Sequence, residues 1–135
     1  MAISGKYIPV NYQKYRGDHT NIWYRSLWER RAMVRFDMSS DILEWSNEEL
    51  VIPYISPVDK RVHRYFPDFV VKIKTGKNTS ETVVIEIKPE KQTKRPEQPK
   101  RVTKRVLNEI VTWSINEAKW EAAKQFCADR RWHFK

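Results

Sequence analysis

Apolar positions follow two different periods along this chain, and each change of period marks an element. Over residues 25–38, Trp28, Ala32 and Phe36 recur every four residues, the spacing of one helical face. Ser26 followed by Glu29 has the form of a capping box, which places the helix start there. Residues 41–46 read as a short strand with Leu43 and Trp45 on one face. Asn47-Glu48-Glu49 turns the chain into a second strand from Leu50 to Ile55, where Pro53 marks an edge or a bulge. After the polar turn at 56–61, a β-rich hairpin runs from Val62 to Lys88, with its ladder interrupted at Pro67. The helical period then returns. Val102, Val106, Ile110 and Trp113 form one apolar stripe, and Trp120, Ala123 and Cys127 another, with Asn116, Lys119 and Lys124 expected off the second stripe. Ser114 and Glu117 offer a second capping box between them, so two C-terminal helices are expected. Residues 131–135 begin a last strand. The fold expected from this pattern is α/β, a small mixed sheet flanked by helices, in a single domain spanning 1–135.

Residues 1–20 show no sustained period and read as an extended N-terminal arm. Its Tyr7, Tyr12 and Tyr15 either pack on the domain or, interleaved with Lys6, Lys14 and Arg16, meet a nucleic-acid backbone. Residues 89–101 carry three prolines, several charges and no apolar residue, which reads as a mobile basic loop after the third core strand.

The hairpin carries the candidate chemistry. Its turn, Thr75-Gly76-Lys77-Asn78-Thr79-Ser80, centres on Lys77, so paired positions sum to 154 and Asp68 falls opposite Glu86. Opposed residues of an antiparallel pair share a face with Cβ atoms roughly 5 Å apart. Lys88, two residues on, points to the same face. A slip of one residue would destroy this juxtaposition, so it is a claim about register. Two carboxylates that close repel unless a cation lies between them, and they suit a hard ion such as Mg²⁺. Carboxylates, a metal and a lysine are what phosphodiester cleavage uses. The plainer alternative is a salt-bridged surface hairpin, but Val70, Val84 and Ile85 mark these strands as core. His63 reads as a packing or phosphate-contact residue, and Cys127 as core.

Phe66-Pro67-Asp68-Phe69 followed by Glu86-Ile87-Lys88-Pro89 resembles the signature of the PD-(D/E)XK nucleases. Within them the chain resembles the TnsA-like endonucleases, and among those the head-completion nucleases of tailed phages. Ser26-Leu27-Trp28-Glu29-Arg30, Ile42-Leu43-Glu44-Trp45 and Asn116-Glu117-Ala118-Lys119-Trp120 extend the likeness. It implies a restriction-endonuclease-like αβββαβ core and metal-dependent DNA cleavage. It also implies that an acid on the first helix, here Glu29, completes the metal site, although Glu29 already has a use as a helix cap. On this reading Asp68, Glu86 and the Ile87 backbone carbonyl bind Mg²⁺, with Mn²⁺ able to substitute. Glu29 supports a second metal or the water, and Lys88 orients water or steadies charge on phosphate. Cleavage during phage head completion is implied by the likeness alone.

The formal charge of +9 is unevenly placed. Residues 1–35 hold seven basic and two acidic groups, and 87–105 hold eight and two, while 36–86 hold six and nine. Basic flanks around an acidic middle favour a polyanion. Arg30, Arg31, Arg64, Lys91, Lys94, Arg95, Lys100 and Arg101 are the candidate DNA contacts, and Asn116, Lys119 and Lys124 are expected to face towards DNA. No apolar run is long enough to span a membrane, and residues 1–6 hold no apolar signal segment. The single cysteine fits a reducing compartment. The charge makes DNA the expected partner, and the family resemblance implies portal or neck proteins of a phage head beside it. No membrane and no small-molecule cofactor is expected; the resemblance implies the host cytoplasm and the virion as the setting. A transposon endonuclease working with a partner, and a non-catalytic DNA-binding plug, remain open alternatives.

Overall fold

A computed structural model describes residues 4–87 and 103–135. The arm forms strand β1 (Gly5–Tyr7), a 3₁₀ turn (Tyr12–Lys14) and strand β2 (Ile22–Tyr24). Helix α1 (Leu27–Met38) and strand β3 (Ile42–Asn47) follow. Strands β4 (Ile52–Ile55) and β5 (Val62–Tyr65) pair with each other as a separate antiparallel ribbon. Strands β6 (Phe69–Lys74) and β7 (Ser80–Ile85), helix α2 (Lys104–Arg130) and strand β8 (His133–Phe134) complete the order.

The central sheet runs β3-β6-β7-β8. Its first two pairings are antiparallel and the last is parallel, so the sheet is mixed. In chain order α1, β3, β6, β7, α2 and β8 make the αβββαβ core, with the β4–β5 ribbon inserted before β6. The fold is of the restriction-endonuclease-like kind.

The β6–β7 register is the expected one. Phe69 pairs with Ile85, Val71 with Val83 and Lys74 with Ser80. The ladder also breaks where proline requires: β5 ends at Tyr65 and β6 begins at Phe69, leaving Phe66-Pro67-Asp68 between two strands with different partners. Strand β8 is short, yet backbone bonds continue past it, from the Glu86 N–H to the Lys135 carbonyl (3.0 Å) and from the Lys135 N–H to the Val84 carbonyl (2.9 Å).

Four local expectations are corrected. Trp28 leaves the apolar stripe and stands 68% exposed, because α1 buries Glu29, Met33, Phe36 and Asp37 instead. Leu43 points to solvent while Ile42 and Trp45 are buried, since a bulge between Ile42 and Glu44 shifts the alternation. The two C-terminal helices are one helix of 27 residues. Thr103 caps its start by accepting from the Val106 N–H, whereas the Ser114 hydroxyl donates back to the Ile110 carbonyl (2.9 Å) and lets the helix continue. Asn116, expected off the apolar stripe, is buried.

Two apolar clusters lie along this framework. One joins the arm and α1 to the sheet through Tyr7, Tyr15, Ile22, Met33, Phe36, Trp45 and Phe69. The other seats the β4–β5 ribbon on α2, with Ile52, Tyr54 and Tyr65 against Ala123 and its neighbours. The arm therefore packs on its own chain, Tyr7 and Tyr15 being buried and only Tyr12 exposed.

Candidate active site

Asp68 stands at the point where the chain leaves one sheet for the other, and its backbone is held from two sides. The Asn47 side-chain amide (2.9 Å) and the Glu48 N–H (3.1 Å) both donate to its carbonyl. On the side-chain end, the Ile87 N–H donates to Asp68 Oδ2 at 2.7 Å. The Asp68 N–H in turn lies 3.3 Å from Glu86 Oε2, and that oxygen also accepts from the buried Tyr65 hydroxyl at 2.8 Å. Each acid thus contacts the backbone beside the other, as the register of β6 and β7 dictates.

Glu29 comes from the first turn of α1 and is buried. The Ser26 hydroxyl caps its N–H (3.2 Å), and Glu29 Oε2 accepts from the Arg25 N–H (3.0 Å) and lies 3.4 Å from Ser26 Oγ. The capping box is formed, and the same carboxylate also reaches the acidic cluster. Ligand oxygens of Glu29, Glu48 and Asp68 all lie within 4.8 Å of one another.

Glu48 did not figure among the candidate residues. Asn47-Glu48-Glu49 reads in sequence as an ordinary turn. Nothing in its composition says that it lies beside Asp68, because the β3–β6 pairing that brings it there is long-range. Its left-handed backbone (φ 54°) is the only local peculiarity, and it is invisible in sequence. The Glu48 carboxylate is half-buried and pairs with Arg25 Nη2 at 3.1 Å.

The electrostatics follow from crowding. Burial first, and then the Glu86 charge, push the Asp68 carboxyl up to about 7; Glu29 and Glu48 add to this, against the lowering hydrogen bond from Ile87. Burial likewise raises Glu48, opposed by Arg25 and assisted by Glu29 and Glu86. Tyr65 is raised by burial and by Glu86, so it remains a protonated donor. The donor set is carboxylate oxygen throughout, half-buried and mutually repelling. It fits a hard divalent cation such as Mg²⁺ and lacks the nitrogen and sulfur ligands that softer metals prefer.

Of the other candidate residues, Arg30 and Arg31 are exposed on α1 and Arg64 is exposed on β5. His63 Nε2 lies 2.8 Å from Asp59 Oδ2 across the ribbon turn, and Cys127 is buried on the inner face of α2. Lys88, the loop 89–101 and its Lys91, Lys94, Arg95, Lys100 and Arg101 lie outside the described residues. Among the described residues no helix is long and apolar enough to cross a membrane.

No solved structure matches the chain. Among curated proteins, the head completion nuclease of Enterobacteria phage T4 is 41% identical over 139 residues, an alignment covering 100% of this chain and 90% of that protein. The model of the TnsA-like endonuclease N-terminal domain matches residues 39–135, which include Glu48, Asp68 and Glu86 and begin just after α1. With the site's geometry and both matches in agreement, the chain belongs to the TnsA-like endonuclease family.

Proposed function

We propose that this protein is a divalent-metal-dependent DNA endonuclease that acts in the completion of a phage head, with Mg²⁺ as its ion and Mn²⁺ able to replace it. The observation that carries the reading is the gathering of Glu29, Glu48 and Asp68 within 4.8 Å, with Glu86 bonded to the Asp68 amide. Three carboxylates in so small a space, with a fourth beside them, call for a cation to offset their repulsion. The phage setting rests on the name of the T4 relative, whose match runs the whole chain. Portal or neck proteins of the head are the partners that the family resemblance implies, and they are proposed on that footing.

In this reading Asp68 and Glu86 would hold the ion, with the Ile87 backbone carbonyl and the neighbouring Glu29 and Glu48 as further candidate ligands. The ion would supply a water of lowered pKa and positive charge for the leaving oxygen. The chain's own groups do the positioning. The Ile87 N–H fixes the orientation of the Asp68 carboxylate, and the Tyr65 hydroxyl fixes that of Glu86. Lys88 orients the attacking water or meets charge developing on phosphate. Arg30, Arg31 and Arg64, and the basic residues of 89–101, hold the DNA backbone.

The test is relaxation of supercoiled plasmid in Mg²⁺, Mn²⁺ or EDTA by wild type, Asp68→Asn, Glu86→Gln and Lys88→Ala. Wild type should nick in either metal and stop in EDTA, and each variant should lose activity. Cleavage in EDTA would overturn the metal-dependent reading, and equal cleavage by all four proteins would point to a contaminant and leave the DNA-binding plug standing.

A further inference from the structure

Two large exposed aromatics border the acidic cluster along the chain. Trp28 immediately precedes Glu29 and is 68% exposed, and Phe66 lies two residues before Asp68 and is 43% exposed. Adjacent Cα atoms are about 3.8 Å apart, so both rings spring from backbone within roughly 4 to 7 Å of the Cα of an acid. Those acids meet within 4.8 Å, so each aromatic adjoins, along the chain, an acid of the same cluster. Neither ring serves the two apolar clusters. The Arg31 guanidinium lies over Trp28, 5.2 Å from the ring centroid, and leaves the rest of this largely exposed side chain open. Arg25, Arg30 and Arg64 are exposed as well.

An exposed indole backed by a guanidinium, among arginines and beside a phosphodiester-cleaving centre, has the makings of a base-stacking platform. In closed duplex the base faces are already covered by their neighbours, so a flat aromatic rim has little to hold there. We infer that Trp28 and Phe66 stack unpaired bases next to the scissile phosphate, and that DNA with an end, overhang or flap is held more tightly than closed duplex. The inference deepens the nuclease reading and rests on it.

Binding separates the two. In Ca²⁺ and on an Asp68→Asn background, affinity is measured for a dumbbell duplex closed at both ends and for the same duplex carrying a short thymidine overhang. The overhang should be bound more tightly. Adding Trp28→Ala should weaken overhang binding roughly 5- to 150-fold, the range for loss of a base–aromatic stack, and leave the dumbbell unchanged. Trp28→Phe should restore most of the difference, and Phe66→Ala should weaken overhang binding alone. Equal affinity for the two DNAs, or an equal loss on both with Trp28→Ala, would overturn the inference and point to a rim made for a protein surface. Plasmid cleavage by wild type reports on the nuclease reading independently: discrimination by Trp28 in a protein that cannot cut would leave the stacking surface standing without it.

Discussion

Two aspartates, one buried and one half-buried, divide this molecule. Asp37, at the end of α1, is 0% exposed, and three donors converge on its carboxylate: the Tyr7 hydroxyl (2.6 Å) and the N–H groups of Val10 and Asn11 (both 2.8 Å). Its carbonyl accepts from the Asn11 amide and from Lys14, whose ammonium also reaches the Ser39 carbonyl just past the helix end. Asp68 is less buried and worse matched. It has the Ile87 N–H, but its other near neighbours are acids, and burial together with their charges holds its carboxyl near 7. The difference is one of compensation. Where fixed dipoles answer a buried charge, the charge ties structure together, and here it clamps the arm to the domain. Where the fold leaves charges facing each other, the missing partner comes from outside, and that is the mark of a working site.

Exchanging the charges should separate the two aspartates most sharply. Asp68→Asn should lower plasmid nicking on the order of 10³-fold, the loss of several kcal/mol of transition-state stabilisation. It should leave the protein as stable as wild type or more so at neutral pH, as read by urea unfolding, because it removes repulsion. Asp37→Ala should do the reverse. It strands the buried Tyr7 hydroxyl and two backbone donors, and should cost roughly 3 kcal/mol in the same unfolding measurement. A stable Asp37→Ala protein, or an unstable Asp68→Asn protein, would break the contrast.

Metal and pH sharpen it. The folded carboxyl of Asp68 lies near 7, above its ordinary value, so protonation favours the folded state. The stability it contributes without metal is complete below about pH 4 and is lost as pH rises through about 7. An ion must displace that proton. Mg²⁺ at a hundred times its Kd should stabilise the protein by about 2.7 kcal/mol at pH 8. The accompanying rise in melting temperature should shrink steadily as pH falls from 8 to 5, and should be absent in Asp68→Asn. A rise that does not depend on pH would place the ion elsewhere.

Smaller effects probe the supports. Tyr65→Phe deletes the hydroxyl that orients Glu86 and should weaken Mn²⁺ binding about 10- to 100-fold by titration calorimetry. Ser26→Ala removes the cap of α1 and should cost about 1 kcal/mol of stability. Because Glu29 belongs to both the cap and the cluster, Ser26→Ala should also lower activity several-fold. Unchanged cleavage with reduced stability would show that Glu29 holds its place without the cap.

The hairpin and the cap were legible because both are local. A six-residue turn leaves few ways to pair β6 with β7, and the alternation of apolar residues selects one of them, which is why Asp68 and Glu86 could be brought together from residue spacing. Ser26 and Glu29 sit within one helical turn and needed no further information. Other features depended on distant partners. Trp28 has the spacing of a core residue, but the arm and sheet cover the neighbouring face of α1. The Ser114–Glu117 pair has the form of a helix start, yet the continuous backbone of α2 overrides it. The exchange of Leu43 for Ile42 in the core requires a bulge that no residue announces.

Sequence alone thus determined the register of the central hairpin, the break at Pro67, the first helix cap and the class of chemistry that two apposed carboxylates allow. These rest on interactions a few residues to a few turns apart. Only the tertiary structure decided that the turn after β3 delivers Glu48 to the same cluster, that Arg25 answers it, and that Trp28 faces outward beside it. Those placements follow from the pairing of β3 with β6 and the seating of α1 on the sheet, contacts between residues tens of positions apart, where any one segment's pattern is compatible with several partners and packing selects among them.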